Sequence, residues 1–98
     1  MTEVNIKEAL GMRSGIDVTG KISGITAPRT INLKSGGTLD VADATLEDAS
    51  GSIVLTLWGE DIPKVKQGST VTIFNGYTDE FKGKVSLTKG KYGKMEVV

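Results

Sequence analysis

The sequence predicts an all-β domain: a small five-stranded barrel with a short helical turn between the third and fourth strands. Three observations carry that expectation. Apolar residues recur at every second position in several short stretches, the mark of strands with one buried face. Glycines punctuate those stretches, and the chain of 98 residues holds 13 of them. One segment breaks the alternation, where Pro63 opens a helical turn and Gly68 ends it.

The elements follow in order. Residues 1–15 form a weakly patterned lead segment, in which Val4, Ala9 and Leu10 are expected to close one end of the core. Residues 16–98 form the barrel domain. Asp17 to Ala27 reads as the first strand, with Val18 and Ile22 in one phase and Gly20 and Gly24 marking bulges or sharp bends. Pro28 to Thr38 reads as a long polar loop, with Lys34-Ser35-Gly36-Gly37 as its turn. Leu39 to Leu46 is the second strand, its phase slipping between Val41 and Ala44.

Glu47 to Gly51 is a turn that joins it as a hairpin to the third strand, Ser52 to Gly59. There Ile53, Leu55 and Leu57 share the core face, and Val54, Thr56 and Trp58 share the other. Ile62 and Val65 pack beneath the barrel. Thr70 to Thr78 is the fourth strand, with Val71 and Ile73 inward. Lys84 to Thr88 is the fifth, with Val85 and Leu87 inward, and the tail from Lys91 extends it. This order fits the oligonucleotide/oligosaccharide-binding (OB) barrel; strand pattern alone also allows an SH3-like barrel.

Composition narrows the function. Hydrophobic content of 38% and charged content of 24% are ordinary for a globular domain. No apolar run is long enough for a membrane-spanning helix, and the N-terminus lacks a signal-peptide pattern. Cysteine and histidine are both absent, which argues against a zinc site and removes any histidine-based triad. No metal and no cofactor are expected. The carboxylates Asp43, Asp48, Asp61 and Glu80 have no partner at a telling spacing, and no phosphate-cradling glycine loop is present, so an enzyme is not expected.

Charge is distributed unevenly about a net of zero. Residues 1–62 carry five Lys/Arg and nine Asp/Glu, a balance of −4; residues 63–98 carry seven lysines and three acids, a balance of +4. Five lysines and no acid lie between Phe81 and Met95. A local positive field is one reading, and a lysine-guarded edge strand is the other.

Trp58, Phe74, Tyr77, Phe81 and Tyr92 are the only aromatics. Trp58 opposes the core phase of its strand, so it is expected to face out as a contact residue rather than close the barrel. Strict alternation from Val71 and Ile73 places Tyr77 inside, unless a bulge at Gly76 reverses the phase. Phe81 falls in an apparent turn, flanked by Lys82 and Lys84. Aromatics among lysines suit single-stranded nucleic acid: bases stack on the rings and the cations meet phosphates.

The segments LTLWG and KVKQGSTVTIFNGYTDEFKGKVSLTKG, with the turn Asp48 to Gly51 and the loop Pro28 to Ile31, resemble archaeal single-stranded DNA-binding proteins with one OB barrel. They are similar also to the eukaryotic single-barrel relatives and to individual barrels of archaeal replication protein A. The resemblance covers about residues 16–90. It implies a sequence-tolerant single-stranded DNA-binding protein of replication, recombination or repair. It implies stacking by Trp58, Tyr77 and Phe81, and further contacts from Arg29, Ile31 and Lys34 in the loop between the first two strands. Thr56, Lys82, Lys84 and Lys89 complete the expected site. Expected partners are single-stranded DNA, RNA in its place, and replication or repair proteins; no membrane is involved. A cytoplasmic, nucleoid-associated monomer is expected. An RNA- or tRNA-binding domain and a protein-interaction barrel of a larger complex are the competing readings.

Overall fold

The computed structural model describes residues 3–81, 83–89 and 93–97. In chain order these form helix α1 (Ile6–Ala9) and strands β1 (Ile16–Ile25), β2 (Arg29–Asn32), β3 (Thr38–Asp48) and β4 (Gly51–Trp58). A 3-10 helix (Gly59–Lys64), β5 (Thr70–Phe81), β6 (Lys84–Thr88) and β7 (Lys94–Val97) follow. Pairing runs β1–β3–β4–β6–β5 and returns from β5 to β1. The β4–β6 pair is parallel, and the other strand pairs are antiparallel. These five strands are the expected ones, and the 3-10 helix stands where the helical turn was expected. No helix among the described residues is long and apolar enough to cross a membrane.

β1 serves two partners, and this shapes the molecule. Its first half pairs with β5 and its second half with β3. A strand shared in this way must bend, and Gly20 stands near the handover. A Cβ there would lie 2.8 Å from the Glu47 carbonyl oxygen, so only glycine admits the approach. A register shift between Ile22 and Gly24 adds the expected bulge.

The core is filled by Val18, Ile22, Leu46, Ile53, Leu55, Leu57, Val71, Ile73 and Leu87, all buried. Val65 joins them from beyond the 3-10 helix, with Ile62 packed against their edge. At one end α1 contributes Ile6 and Ala9, three positions apart on one helical face. Leu10, expected inside, is exposed because the next helical position turns away from that face. Asn5 caps α1 by accepting from the Glu8 amide at 2.8 Å.

Four local expectations need correction. The long polar loop contains β2, paired with the start of β3 from Arg29 opposite Val41 to Asn32 opposite Thr38. Its residues are mostly exposed, so they show no burial pattern to read. Gly36 and Gly37, with φ of 92° and 85°, form the expected turn. The apparent slip between Val41 and Ala44 is no slip: the β3–β4 register is unbroken from Val41 opposite Trp58 to Asp48 opposite Gly51. Val41 and Ala42 are both buried, one on each face. β5 runs on to Phe81, which therefore ends a strand instead of lying in a turn. The tail does not extend β6; β7 pairs separately with the first half of β5.

The decisive irregularity lies in β5. Ile16 pairs with Gly76 and Val18 with Ile73, so one residue of β1, Asp17, opposes two of β5, Phe74 and Asn75. Asn75 takes a left-handed φ of 54°, a conformation that Asn tolerates better than most residues. Its amide donates to the buried Asp17 carboxylate at 2.8 Å. The added residue reverses the phase: Val71 and Ile73 are buried before it, while Gly76 is buried and Tyr77 exposed after it.

Asp48 ties α1 to the β3–β4 turn. Its carboxylate accepts from the Ile6 amide at 3.0 Å, from the Ser50 hydroxyl, and from the Ser50 and Gly51 amides. The Ser50 hydroxyl does most to hold the Asp48 carboxyl below the ordinary carboxylate range; partial desolvation opposes it, and the amides add to it. A depressed acid stabilises the fold above its unfolded pKa and loses that contribution as pH falls through the folded value. Acidification below about pH 4 is therefore expected to weaken the native protein more than Asp48→Asn. Denaturant unfolding at about pH 7 and about pH 3 checks this. Equal losses in both proteins would remove Asp48 from the acid limb.

Candidate nucleic-acid interface

The cross-strand register arranges the outer face into rows. Arg29, Val41 and Trp58 align across β2, β3 and β4. Asp43, Thr56, Thr88 and Tyr77 align across β3, β4, β6 and β5. Thr45, Val54, Ser86 and Asp79 form the next row. With strands about 4.8 Å apart, Trp58 and Tyr77 stand about 10 Å apart across the sheet and one row apart along it. Phe81 pairs with Lys84 where the β5–β6 hairpin closes, at the same strand parity as Tyr77 and Asp79.

Trp58 occupies the expected outer register, but it is half-buried. Its Nε1 is inaccessible and has no hydrogen-bond partner among the described residues. The part of the residue that solvent reaches therefore excludes the N–H, and the opposing Val41 is only 2% exposed. Tyr77 is 41% exposed, an unusual degree for a large ring. The alternative that a bulge at Gly76 turns Tyr77 outward is the one realised.

The remaining predicted residues divide by environment. Thr56 is half-buried in the row between Asp43 and Thr88. Ile31 is half-buried on β2, opposite Leu39. Lys34 is exposed in the β2–β3 turn, and Lys84 is exposed at the start of β6. Neither has an ion-pair partner among the described residues. Arg29 Nη1 lies 3.3 Å from Asp43 Oδ2. Lys89 Nζ lies 3.1 Å from Oδ2 of the buried Asp61. Lys82 and Tyr92 lie outside the described residues. Phe74 is half-buried and pairs with Lys94 of β7, away from the β3–β4–β6 rows. Among the described residues no group of acids is gathered as a metal site.

Asp43, Thr45, Val54 and Ser86 share this face; the sequence placed Val54 there and weighed Asp43 only as a catalytic carboxylate, and none of the four was among the expected contacts. The signal was present for β3 and β4. The Asp48 to Gly51 turn fixes their pairing, and counting back from it places Asp43 opposite Thr56.

The sequence and fold match a known family. The model of the Ssb-like single-stranded DNA binding proteins with an OB fold covers residues 13–97. The chain belongs to that family. It is 34% identical over 80 residues to the single-stranded DNA binding protein Ssb of Saccharolobus solfataricus, covering 82% of this chain and 53% of the relative. The chain thus spans about half the length of that relative. An OB domain from Thermoplasma acidophilum is 26% identical, with a TM-score of 0.79 over 97% of this chain and 85% of its own. The second OB domain of replication protein A from Methanococcus maripaludis shares the fold at 19% identity, with a TM-score of 0.76 over 97% of this chain and 95% of its own.

Two outcomes test this geometry. A Cβ on Gly76 would lie 2.8 Å from Ile73 Cγ2 and 3.2 Å from the Thr88 carbonyl oxygen. Gly76→Ala is expected to cost about 1–3 kcal/mol of stability by overpacking, read by denaturant unfolding; an unchanged midpoint would show the bulge to be pliable. Lys89→Ala removes the nearest cation from the buried Asp61, leaving Lys64 at 4.0 Å. It is expected to destabilise the fold by about 1–3 kcal/mol in the same measurement, whereas a purely ligand-binding Lys89 would leave stability unmoved.

Proposed function

We propose that this chain binds single-stranded DNA with little sequence preference, and that it serves replication, recombination or repair. Bases stack on Trp58, Tyr77 and Phe81 while Lys34, Lys82 and Lys84 meet phosphates. The observation that carries the reading is the shared outer face. A half-open tryptophan and an exposed tyrosine stand one row apart, and exposed Lys84 lies at the hairpin that closes the face. Family membership supports the choice of DNA, since stacking alone does not see the sugar. Duplex DNA hides its base faces, so such a surface prefers single strands.

The single tryptophan reports on the site directly. Titration with an oligo-dT of about 12 nucleotides is expected to quench Trp58 fluorescence saturably, and less tightly as salt rises. Trp58→Ala and Phe81→Ala are each expected to weaken binding by about 1–3 kcal/mol, with the fold retained. A flat signal at low and moderate salt, with no binding by anisotropy, would overturn the reading. A matched oligo-U separates RNA from DNA.

A further inference from the structure

Asp43 stands out on a face suited to a polyanion. A carboxylate repels phosphate, yet this one holds a central register position opposite Thr56. Arg29 holds its side chain and Thr26 its backbone. Arg29 Nη1 donates to Oδ2 at 3.3 Å. The Asp43 amide donates to the Thr26 hydroxyl at 3.0 Å, and the Thr26 amide donates to the Asp43 carbonyl at 2.8 Å. Oδ1 takes no donor among the described residues.

Asp43 also lines a depression of about 300 Å³, together with Gly24, Thr26, Thr45, Val54 and Lys84. This volume is at the lower end of ligand-binding clefts, and it suits one flat ring system. Space is open where a Gly24 side chain would stand. A phosphate beside Asp43 is electrostatically disfavoured; a base presenting N–H donors is not. Lys84, on the same lining, supplies the cation for the phosphate of that nucleotide.

The chemistry selects among bases. Guanine presents two adjacent donors, N1–H and the N2 amino group, beside the acceptor O6. A carboxylate paired with a guanidinium offers the complementary set: acceptors for the two donors, and a donor for O6. Thymine presents a single N–H between two carbonyls, which meet a carboxylate unfavourably. We infer that Asp43, held by Arg29, reads one base of the bound strand and favours guanine over thymine there. This rests on the single-stranded DNA reading above.

The test is a positional scan on the native protein. An oligo-dT of about six nucleotides, within the span of one OB fold, carries a single dG at each position in turn. Anisotropy is expected to show one position where dG binds about fivefold tighter or more than dT, the low end for a bidentate base contact. Asp43→Asn keeps the size and the backbone bonds to Thr26. It is expected to abolish that preference while raising dT affinity, because a negative charge leaves the groove. Equal affinity at every position overturns the inference, and so does a dG preference that survives in Asp43→Asn. Saturable binding of all-dT alongside either result leaves the single-stranded DNA reading standing. Absence of any dT binding overturns both.

Discussion

A hydrogen bond from the Asn75 amide to the buried carboxylate of Asp17 secures the irregularity on which the outer face depends. β5 has two tasks that one alternating strand cannot perform. Its first half drives Val71 and Ile73 into the core against β1, and its second half presents Tyr77 outward beside β6. One inserted residue reconciles the two, because the side-chain period of a strand is two. Burial of a carboxylate is costly unless it is hydrogen-bonded, and the bulged amide supplies a partner. Gly76 follows because the reversal brings its Cα against Ile73, Leu87 and the Thr88 carbonyl, where a side chain has no room.

The rest of the face builds on the same economy of pairing. The β3–β4 hairpin runs eight registered pairs without a break, which makes it a stiff platform for Thr56 and Trp58. The parallel β4–β6 pair carries those rows on toward β5. Trp58 sits at the hairpin's end, just before the chain turns into the 3-10 helix. Its ring is partly sunk, with the N–H inaccessible and unpartnered. An ordinary core tryptophan usually finds a partner for that group. A ring held by its edge, with other atoms reachable, keeps the fixed plane that the proposed stacking requires.

Electrostatics on this face come from local pairing more than from net charge, which is zero. Asp61 engages Lys89, and Asp43 engages Arg29. Lys34 in the β2–β3 turn and Lys84 at the start of β6 are exposed, flank the rows and have no ion-pair partner among the described residues. Among the described residues of this face, the cations without an ion pair thus lie at the margins, while the centre holds aromatic, hydroxyl and carboxylate groups. Under the proposed function, that division puts phosphates outside and bases inside.

The sequence by itself determined five of the seven strands, the helical turn and the outward phase of Trp58, because a period of two and glycine punctuation are local signals. It also determined the family, through segments around Trp58 and Phe81. Other features required the folded chain. Whether Tyr77 faced out hung on a bulge that its own strand could suggest but not decide; Asp17, 58 residues earlier, holds it in place. β2 was illegible because a four-residue edge strand with exposed residues buries no pattern. Lys89 reads from the sequence as a phosphate contact, and its pairing with Asp61, 28 residues away, had no local signal. Asp43 reached the site only through cross-strand register. Periodicity assigns a residue to a face, but pairing between distant segments decides which residues share that face, and only the tertiary structure contains that pairing.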